Sequence, residues 1–157
     1  MTVPAIGTTA PDFRTKNQYG QDITLSGLRG APVVLVFYPH AFTGICTREL
    51  AELRDHQTAF DAVGCRVLGI STDTMFSLRV FAEQQKLTFD LLSDHWPHGG
   101  IAASYGVFDA QLGCAIRGTF VVDAAGRIAW TMVNSIGQGR EISAVLAALP
   151  GRRGVVA

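Results

Sequence analysis

A short apolar run from Val33 to Tyr38 is followed at once by Pro39 and then by a stretch with helical spacing. The run is β-branched and aromatic and is ended by proline, which is typical of a buried strand. Apolar side chains then recur three or four residues apart, or at near multiples of that, at Cys46, Leu50, Leu53 and Phe60. A second run at 66–71 predicts another strand. Strand, helix and strand in this order form a βαβ unit, whose strands are parallel with a right-handed crossover.

The rest of the chain adds elements on both sides of this unit. Before it we predict a hairpin at 13–17 and 22–25, and within it a helix that carries Cys46 in its first turn and runs to about Val63. After it we predict a helix at 75–86 with Phe76, Val80 and Phe81 on its apolar side, a strand at 89–93, a short helix at 101–105, a hairpin at 119–123 and 127–132, and a helix at 142–149. This order predicts an α/β fold, a thioredoxin-like three-layer sandwich with an N-terminal β-hairpin and a mixed central sheet. We expect residues 1–157 to form one domain and 151–157 a mobile tail.

Composition excludes several classes of function. The chain has 157 residues, 48% of them hydrophobic, and no net charge, which suits one globular domain and gives no basic footprint for nucleic acid or anionic membranes. No secretory signal or membrane-spanning run is visible, and three cysteines without a pairing pattern favour a reducing compartment, so we expect a cytoplasmic protein. No cysteine or histidine spacing matches a zinc site, and we predict neither a metal nor another cofactor.

Cys46 is the first candidate functional residue, because it falls in the first turn of a helix that leaves a core strand. Unpaired N–H groups and the helix dipole favour an anion there, so we expect this thiol to ionise more readily than a free one. Thr43, about one turn earlier, offers a hydroxyl that can donate to a thiolate or to a substrate oxygen, and Gly44 lets the backbone approach a ligand closely. Most free cysteines are small buried apolar residues, but this placement favours a functional thiolate.

Two charged residues complete the candidate site. Glu49 lies three residues after Cys46, so the two side chains are neighbours on the helix. A lone carboxylate would disfavour the thiolate, unless an arginine from elsewhere neutralises it. Arg117, just before the strand predicted at 119–123, is the candidate. An arginine at a strand start is as often a solvated rim residue, and the residues alone leave both interpretations open.

The other two cysteines differ in what they can do. Cys65 follows the predicted helix, on the order of 25 Å from Cys46, which is far beyond the disulfide limit and favours a structural role. Cys114 precedes Arg117 by three residues, and in a regular strand the two side chains point to opposite faces. A bulge at Gly113 would change this, so a resolving role for Cys114 stays open.

The motifs resemble one known family. Pro39, Thr43 and Cys46 match the Pro-x-x-x-Thr-x-x-Cys signature of peroxiredoxins, and Arg117 matches their active-site arginine. Longer stretches resemble the AhpE-type one-cysteine peroxiredoxins of actinobacteria: Phe42–Cys46, Leu53–His56, Leu91–Gly99, Tyr105–Phe108 and Arg117–Asp123. The resemblance extends from Gly7 to about Leu149.

The resemblance implies a role for each site residue. Cys46 is expected to attack a peroxide as a thiolate and to become a sulfenic acid. Thr43 and Arg117 are expected to bind the peroxide with backbone N–H groups near Cys46, while Pro39 shields the thiolate and Glu49 holds Arg117. The implied substrates are hydrogen peroxide and organic hydroperoxides, with peroxynitrite as a further candidate.

The resemblance also implies partners. Ala51 stands where a related peroxiredoxin group carries its resolving thiol, so an external thiol is the expected reductant: a low-molecular-weight thiol, a glutaredoxin-like protein or a thioredoxin-like protein. A homodimer is expected as well. The alternatives are resolution by Cys114 or Cys65, a redox-sensing or chaperone module without turnover, and a cysteine hydrolase that uses His40 as its base.

Overall fold

The computed structural model describes residues 2–150, and the predicted mobile tail at 151–157 lies outside the described residues. In chain order the elements are β1 (Arg14–Lys16), β2 (Asp22–Thr24), a 3₁₀ turn (Leu25–Leu28), β3 (Val33–Phe37), α1 (Gly44–Asp55), α2 (Gln57–Ala62), β4 (Arg66–Ser71), α3 (Met75–Gln85), β5 (Asp90–Ser93), α4 (Gly100–Ser104), β6 (Phe108–Asp109), β7 (Cys114–Ala115), β8 (Arg117–Val122), β9 (Ile128–Asn134) and α5 (Ile142–Ala147).

The central sheet has the strand order β5-β4-β3-β8-β9 and is mixed. β3 pairs in parallel with β4, and β4 with β5, while β8 runs antiparallel to both β3 and β9. The βαβ unit predicted from the two apolar runs is therefore present, with Val33 opposite Arg66 and Phe37 opposite Ile70. β1 and β2 form the predicted N-terminal hairpin.

Helices and loops cover both faces of the sheet, which makes three layers. Every residue of β3 is buried. Val34 and Val36 belong to the apolar cluster that includes side chains of α1, α3 and α5, whereas Val33, Leu35 and Phe37 belong to a second cluster with α4 and the N-terminal hairpin. Because successive strand side chains point to opposite faces, a strand buried on both sides reads as a continuous apolar run.

Two helix predictions need correction. The helix predicted to carry Cys46 in its first turn and to run to about Val63 is two helices, because His56 leaves the helical conformation (φ −102°, ψ 15°) between α1 and α2. The helical spacing of apolar residues continues across His56, so the sequence pattern alone does not reveal the break.

The apolar side predicted for α3 is wrong for two of its three members. Phe76 and Val80 are 72% and 48% exposed, and the buried side chains are Leu78, Phe81 and Ala82. At about 100° per residue, positions 78, 81 and 82 share one face, while 76 and 80 share another. In the described residues, no helix has the length and apolar character needed to cross a membrane.

Candidate active site

Cys46 lies at the C-terminal end of β3, where the chain turns from the sheet into α1. Tyr38 still pairs with β4, since its N–H donates to the carbonyl of Ile70 at 3.1 Å, and the buried Pro39 then ends the pairing. Thr43 is the extended residue before α1 (φ −94°, ψ 155°), so Cys46 is in the first turn as predicted. Its side chain is fully buried.

The N–H groups at the start of α1 are available to an anion. Thr43 makes no side-chain cap, and in residues 2–150 no acceptor pairs with the N–H groups of Gly44, Ile45 and Cys46. These groups carry partial positive charge, which the helix dipole reinforces. The first turn of α1 therefore favours negative charge on the Cys46 sulfur or on an oxygen bound beside it.

Arg117 is buried beside Cys46 and is not a solvated rim residue. Its guanidinium Nη1 donates to Sγ of Cys46 at 3.2 Å and to Oε1 of Glu49 at 2.6 Å, and its Nε donates to the carbonyl of Ile136 at 2.7 Å. The side chain is only 3% exposed. The structure thus brings together Cys46, Glu49 and Arg117 as the sequence predicted, with the carboxylate fixing the arginine and the arginine touching the sulfur.

A second arginine, Arg140, completes the cluster, and sequence reasoning missed it. Its backbone N–H and its Nε donate to Oε2 of Glu49 at 2.6 Å and 3.0 Å. Its Nη1 donates to Oγ1 of Thr119 at 2.9 Å, and its Nη2 donates to the carbonyl of Phe37. Arg140 lies in the loop after β9, 91 residues from Glu49, and no local pattern singles it out.

The charges of the two buried guanidiniums and the Glu49 carboxylate do not balance on their own. Two guanidiniums share one carboxylate, which leaves one positive charge in a region that is almost closed to solvent. Because an unpaired buried charge is costly, negative charge on the sulfur beside Arg117 is stabilised. Burial lowers the pKa of Arg140 from its ordinary value, and the adjacent Glu49 carboxylate opposes this by favouring the charged guanidinium.

Thr43 differs from the expectation in one respect. Its hydroxyl donates to the carbonyl of His40 at 2.8 Å and not to the sulfur of Cys46. The residue is exposed at the outer end of the site, so its oxygen can still accept a hydrogen bond from a bound molecule. The side chain of His40 is also exposed, and among the described residues it makes no hydrogen bond to Cys46, so the Cys–His pair of a hydrolase is not formed.

The other two cysteines are buried thiols. Burial raises the pKa of Cys65 to about 12. Burial also raises the pKa of Cys114, and the nearby Asp109 carboxylate adds to this. Since the thiolate is the nucleophile, neither residue suits attack on an oxidised Cys46 at neutral pH. Residues 2–150 also contain no group of three His, Cys, Asp or Glu side chains that could hold a metal ion.

Comparison with known proteins identifies the family. The model of the AhpC/TSA family matches residues 6–131. The chain is a peroxiredoxin of the AhpC/TSA family. It is 47% identical over 137 residues to alkyl hydroperoxide reductase E of Mycobacterium tuberculosis, covering 87% of this chain and 90% of that protein. It is 34% identical over 151 residues to peroxiredoxin-2 of Mus musculus, covering 90% of this chain and 75% of that protein.

A solved structure gives the same result. The crystal structure of peroxidoxin BcpB from Mycobacterium tuberculosis superposes with a TM-score of 0.84 at 35% identity, covering 94% of this chain and 97% of that one. The thioredoxin-like fold predicted from the sequence is therefore confirmed. This peroxiredoxin is an oxidoreductase that reduces peroxides with electrons from thiols. Membership of this family does not favour the alternative of a redox-sensing or chaperone module without turnover.

Proposed function

We propose that Cys46 is the residue at which this peroxiredoxin reduces its substrate, with hydrogen peroxide and organic hydroperoxides as substrates and peroxynitrite as a further candidate. The observation that carries the proposal is the 3.2 Å hydrogen bond from Arg117 to the Cys46 sulfur, in a buried cluster that needs one more negative charge. The thiolate attacks the terminal peroxide oxygen, so that an S–O bond forms while the O–O bond breaks. Cys46 becomes a sulfenic acid, and the departing alkoxide or hydroxide takes a proton from water.

Each of the residues around Cys46 has a separate proposed role in this step. Arg117 and the free N–H groups of α1 stabilise charge that develops on the leaving oxygen. Glu49 fixes Arg117 through the 2.6 Å hydrogen bond to its Nη1. We assign the shielding of the sulfur to Pro39, which is buried at the end of β3, and contact with the peroxide to Thr43, which is exposed.

An external thiol is the proposed reductant. A thiolate from outside attacks the Cys46 sulfenic acid and expels hydroxide, and a second thiol releases Cys46 from the mixed disulfide. The buried, protonated state of Cys65 and Cys114 supports this over internal resolution. The candidates are a low-molecular-weight thiol, a glutaredoxin-like protein and a thioredoxin-like protein. A reducing cytoplasm is the proposed location, and three free cysteines support it.

A homodimer is the proposed assembly. Phe42, Phe76 and Trp96 are exposed apolar side chains, and Phe76 and Trp96 line one groove. Sedimentation velocity is expected to find a dimer that Phe76→Glu dissociates. Ile6→Glu, an equally exposed apolar position outside this groove, is the control and should stay dimeric. A wild-type monomer at micromolar concentration would refute the assembly.

The test of the chemistry is intact mass after reduced protein meets one equivalent of hydrogen peroxide, with and without a sulfenic-acid trap. A gain of one oxygen, captured by the trap at Cys46, is expected. Cys65→Ser and Cys114→Ser should behave as wild type, whereas Cys46→Ser should neither gain the oxygen nor reduce peroxide. A loss of two hydrogens would instead mean a disulfide and an internal resolving cysteine.

A further inference from the structure

The loop of residues 39–43 connects β3 to α1 and carries Pro39 and Thr43 of the site. Only one hydrogen bond in residues 2–150 ties this loop to an element other than α1. The backbone N–H of Ala41 donates to Oδ2 of Asp73 at 2.9 Å. Asp73 lies between β4 and α3, and the mechanism proposed above gives it no role.

Asp73 is itself held firmly in place. The same oxygen, Oδ2, accepts a hydrogen bond from Oγ of Ser71 at 2.6 Å. The backbone carbonyl of Asp73 accepts another from Oγ of Ser93 at 2.6 Å, at the end of the neighbouring strand β5. The carboxylate therefore transmits the position of the sheet to the 39–43 loop.

The loop needs an external restraint because it is strained. Phe42 has φ +68°, in the left-handed region that residues with a Cβ avoid. Its ring packs edge-on against Phe81 at 5.1 Å between centroids, and Ala41 is buried in the same apolar cluster as Cys46. The hydrogen bond to Asp73 and these apolar contacts thus hold a backbone shape that the loop sequence does not favour on its own.

We propose that Asp73 is a positioning residue for peroxide reduction, acting through the backbone of Ala41 to hold the 39–43 loop against the Cys46 sulfur. The inference rests on the proposed role of Cys46. Asp73 makes no contact with the sulfur, but it fixes the loop that brings Thr43 to the site and sets the start of α1. Misplacement by about 1 Å of groups that orient a substrate can slow a reaction about a hundredfold.

Three substitutions at Asp73 separate geometry from charge. Asp73→Ala removes the acceptor and should slow the oxidation of Cys46 by hydrogen peroxide about ten- to a hundredfold. Asp73→Asn keeps one amide oxygen that can accept from both Ala41 and Ser71, so its rate should return to within about threefold of wild type. Asp73→Glu keeps the charge but displaces the acceptor, so its rate should fall several-fold.

The measurement is the second-order rate of sulfenic acid formation by rapid quench with the trap. On the same samples, the thiolate absorbance at neutral pH and the folded fraction by circular dichroism are recorded. The proposal expects both to match wild type in Asp73→Ala, because Arg117 and the helix N–H groups still favour the thiolate. Asp123→Ala is the matched control, because it removes a carboxylate that accepts from the backbone N–H groups of Ala125 and Arg127 in the turn between β8 and β9 and not from the 39–43 loop, and it should oxidise at the wild-type rate.

Several outcomes would overturn the proposal. Wild-type oxidation in Asp73→Ala, or equal slowing in Asp73→Asn and Asp73→Ala, would mean that the Ala41 hydrogen bond does not position the site. A decrease in the oxidation rate of Asp73→Ala that only matches the decrease in its folded fraction would mean that Asp73 has a structural role and no positioning role. If Asp73→Ala does not fold, Asp73→Glu and Asp73→Asn decide the question, since equal rates would refute the geometric argument. If the wild-type protein gains its oxygen elsewhere than at Cys46, the proposed function fails, whatever the Asp73 variants do.

Discussion

Replacing Glu49 with glutamine is the most direct test of the buried charge cluster. Each carboxylate oxygen serves a different arginine: Oε1 accepts from Arg117 at 2.6 Å, and Oε2 accepts from the N–H of Arg140 at 2.6 Å and from its Nε at 3.0 Å. Glutamine has nearly the same shape but only one acceptor oxygen. Its amide nitrogen is a donor and would face one of the guanidinium groups, which also donate.

The expected loss of stability follows from this geometry. Removing one partner of a buried ion pair costs about 3–5 kcal/mol, because the remaining charge is left without compensation. Glu49 is 5% exposed and the side chain of Arg140 is fully buried, so solvent cannot replace the lost carboxylate. The free energy of unfolding of Glu49→Gln should therefore fall by about 3–5 kcal/mol in a urea titration. Domains have about 5–15 kcal/mol in total, so the variant remains mostly folded if the wild-type stability lies above the lower end of this range.

The expected chemical effect has a distinctive signature. Without the carboxylate, the cluster has two positive charges, which favour negative charge on the Cys46 sulfur more strongly than in the wild type. The single amide oxygen satisfies more donors when it faces Arg140, so Arg117 keeps its hydrogen bond to the carbonyl of Ile136 at 2.7 Å but loses the one to Oε1. Sulfenic acid formation should slow about tenfold or more, as expected for a misplaced stabilising group.

The assays are urea unfolding, thiolate absorbance at neutral pH and rapid-quench oxidation by hydrogen peroxide. Glu52→Gln is the matched control, because Glu52 lies on the exposed side of the same helix and its substitution removes the same charge. Unchanged stability in Glu49→Gln would refute the claim that the Glu49 carboxylate compensates the charge of the buried guanidiniums. A lower thiolate fraction would refute the charge balance itself.

Three further predictions test single groups. Because burial raises the pKa of Cys65 from 9.0 to about 12, folding favours its neutral thiol, and this contribution is lost as pH rises from about 9 to 12. Between about pH 8 and about pH 10.5, the free energy of unfolding of the wild type should therefore fall by about 2 kcal/mol more than that of Cys65→Ala. An equal fall in both proteins would contradict this prediction. Thr43→Val should form sulfenic acid about tenfold more slowly than wild type, whereas Thr43→Ser, which keeps the hydroxyl, should not. A wild-type rate in Thr43→Val would mean that the hydroxyl takes no part in the reaction. The buried Tyr38 hydroxyl has no hydrogen-bond partner in residues 2–150, so Tyr38→Phe should not destabilise the protein. Tyr105→Phe, which loses a 2.7 Å hydrogen bond to Pro11, should cost about 1 kcal/mol in the same urea titration.

The sequence predicts well those parts of the fold whose signals are local. The run at 33–38 is a core strand because both of its faces are buried, and such a strand needs no alternation. The first turn of α1 is predictable because Pro39 ends the strand and the helical spacing starts soon after. Cys46 is thereby placed at a helix N-terminus from sequence alone.

The sequence-based predictions failed where the structure depends on contacts between distant segments. Arg140 lies in a loop without periodicity, and only the fold brings it to Glu49 and to the carbonyl of Phe37. The faces of α3 were misassigned because Phe76 and Val80 are apolar but exposed. Pattern reasoning assumes that apolar side chains face the core of their own chain, and an interface with a second copy would break that assumption.

The same division applies to the chemistry of Cys46. The local sequence supplies a thiol and a helix N-terminus, but it also supplies Glu49, whose charge alone would oppose a thiolate. Two arginines, one from β8 and one from the loop after β9, change the net charge of these groups from negative to positive. Their two positive charges exceed the negative charge of Glu49 by one. A thiolate at Cys46, which is the proposed reactive form, would close this balance, and the short Pro-x-x-x-Thr-x-x-Cys signature does not contain either arginine. The proposed reactivity therefore depends on the folded chain, because only folding brings the two guanidiniums together beside Cys46.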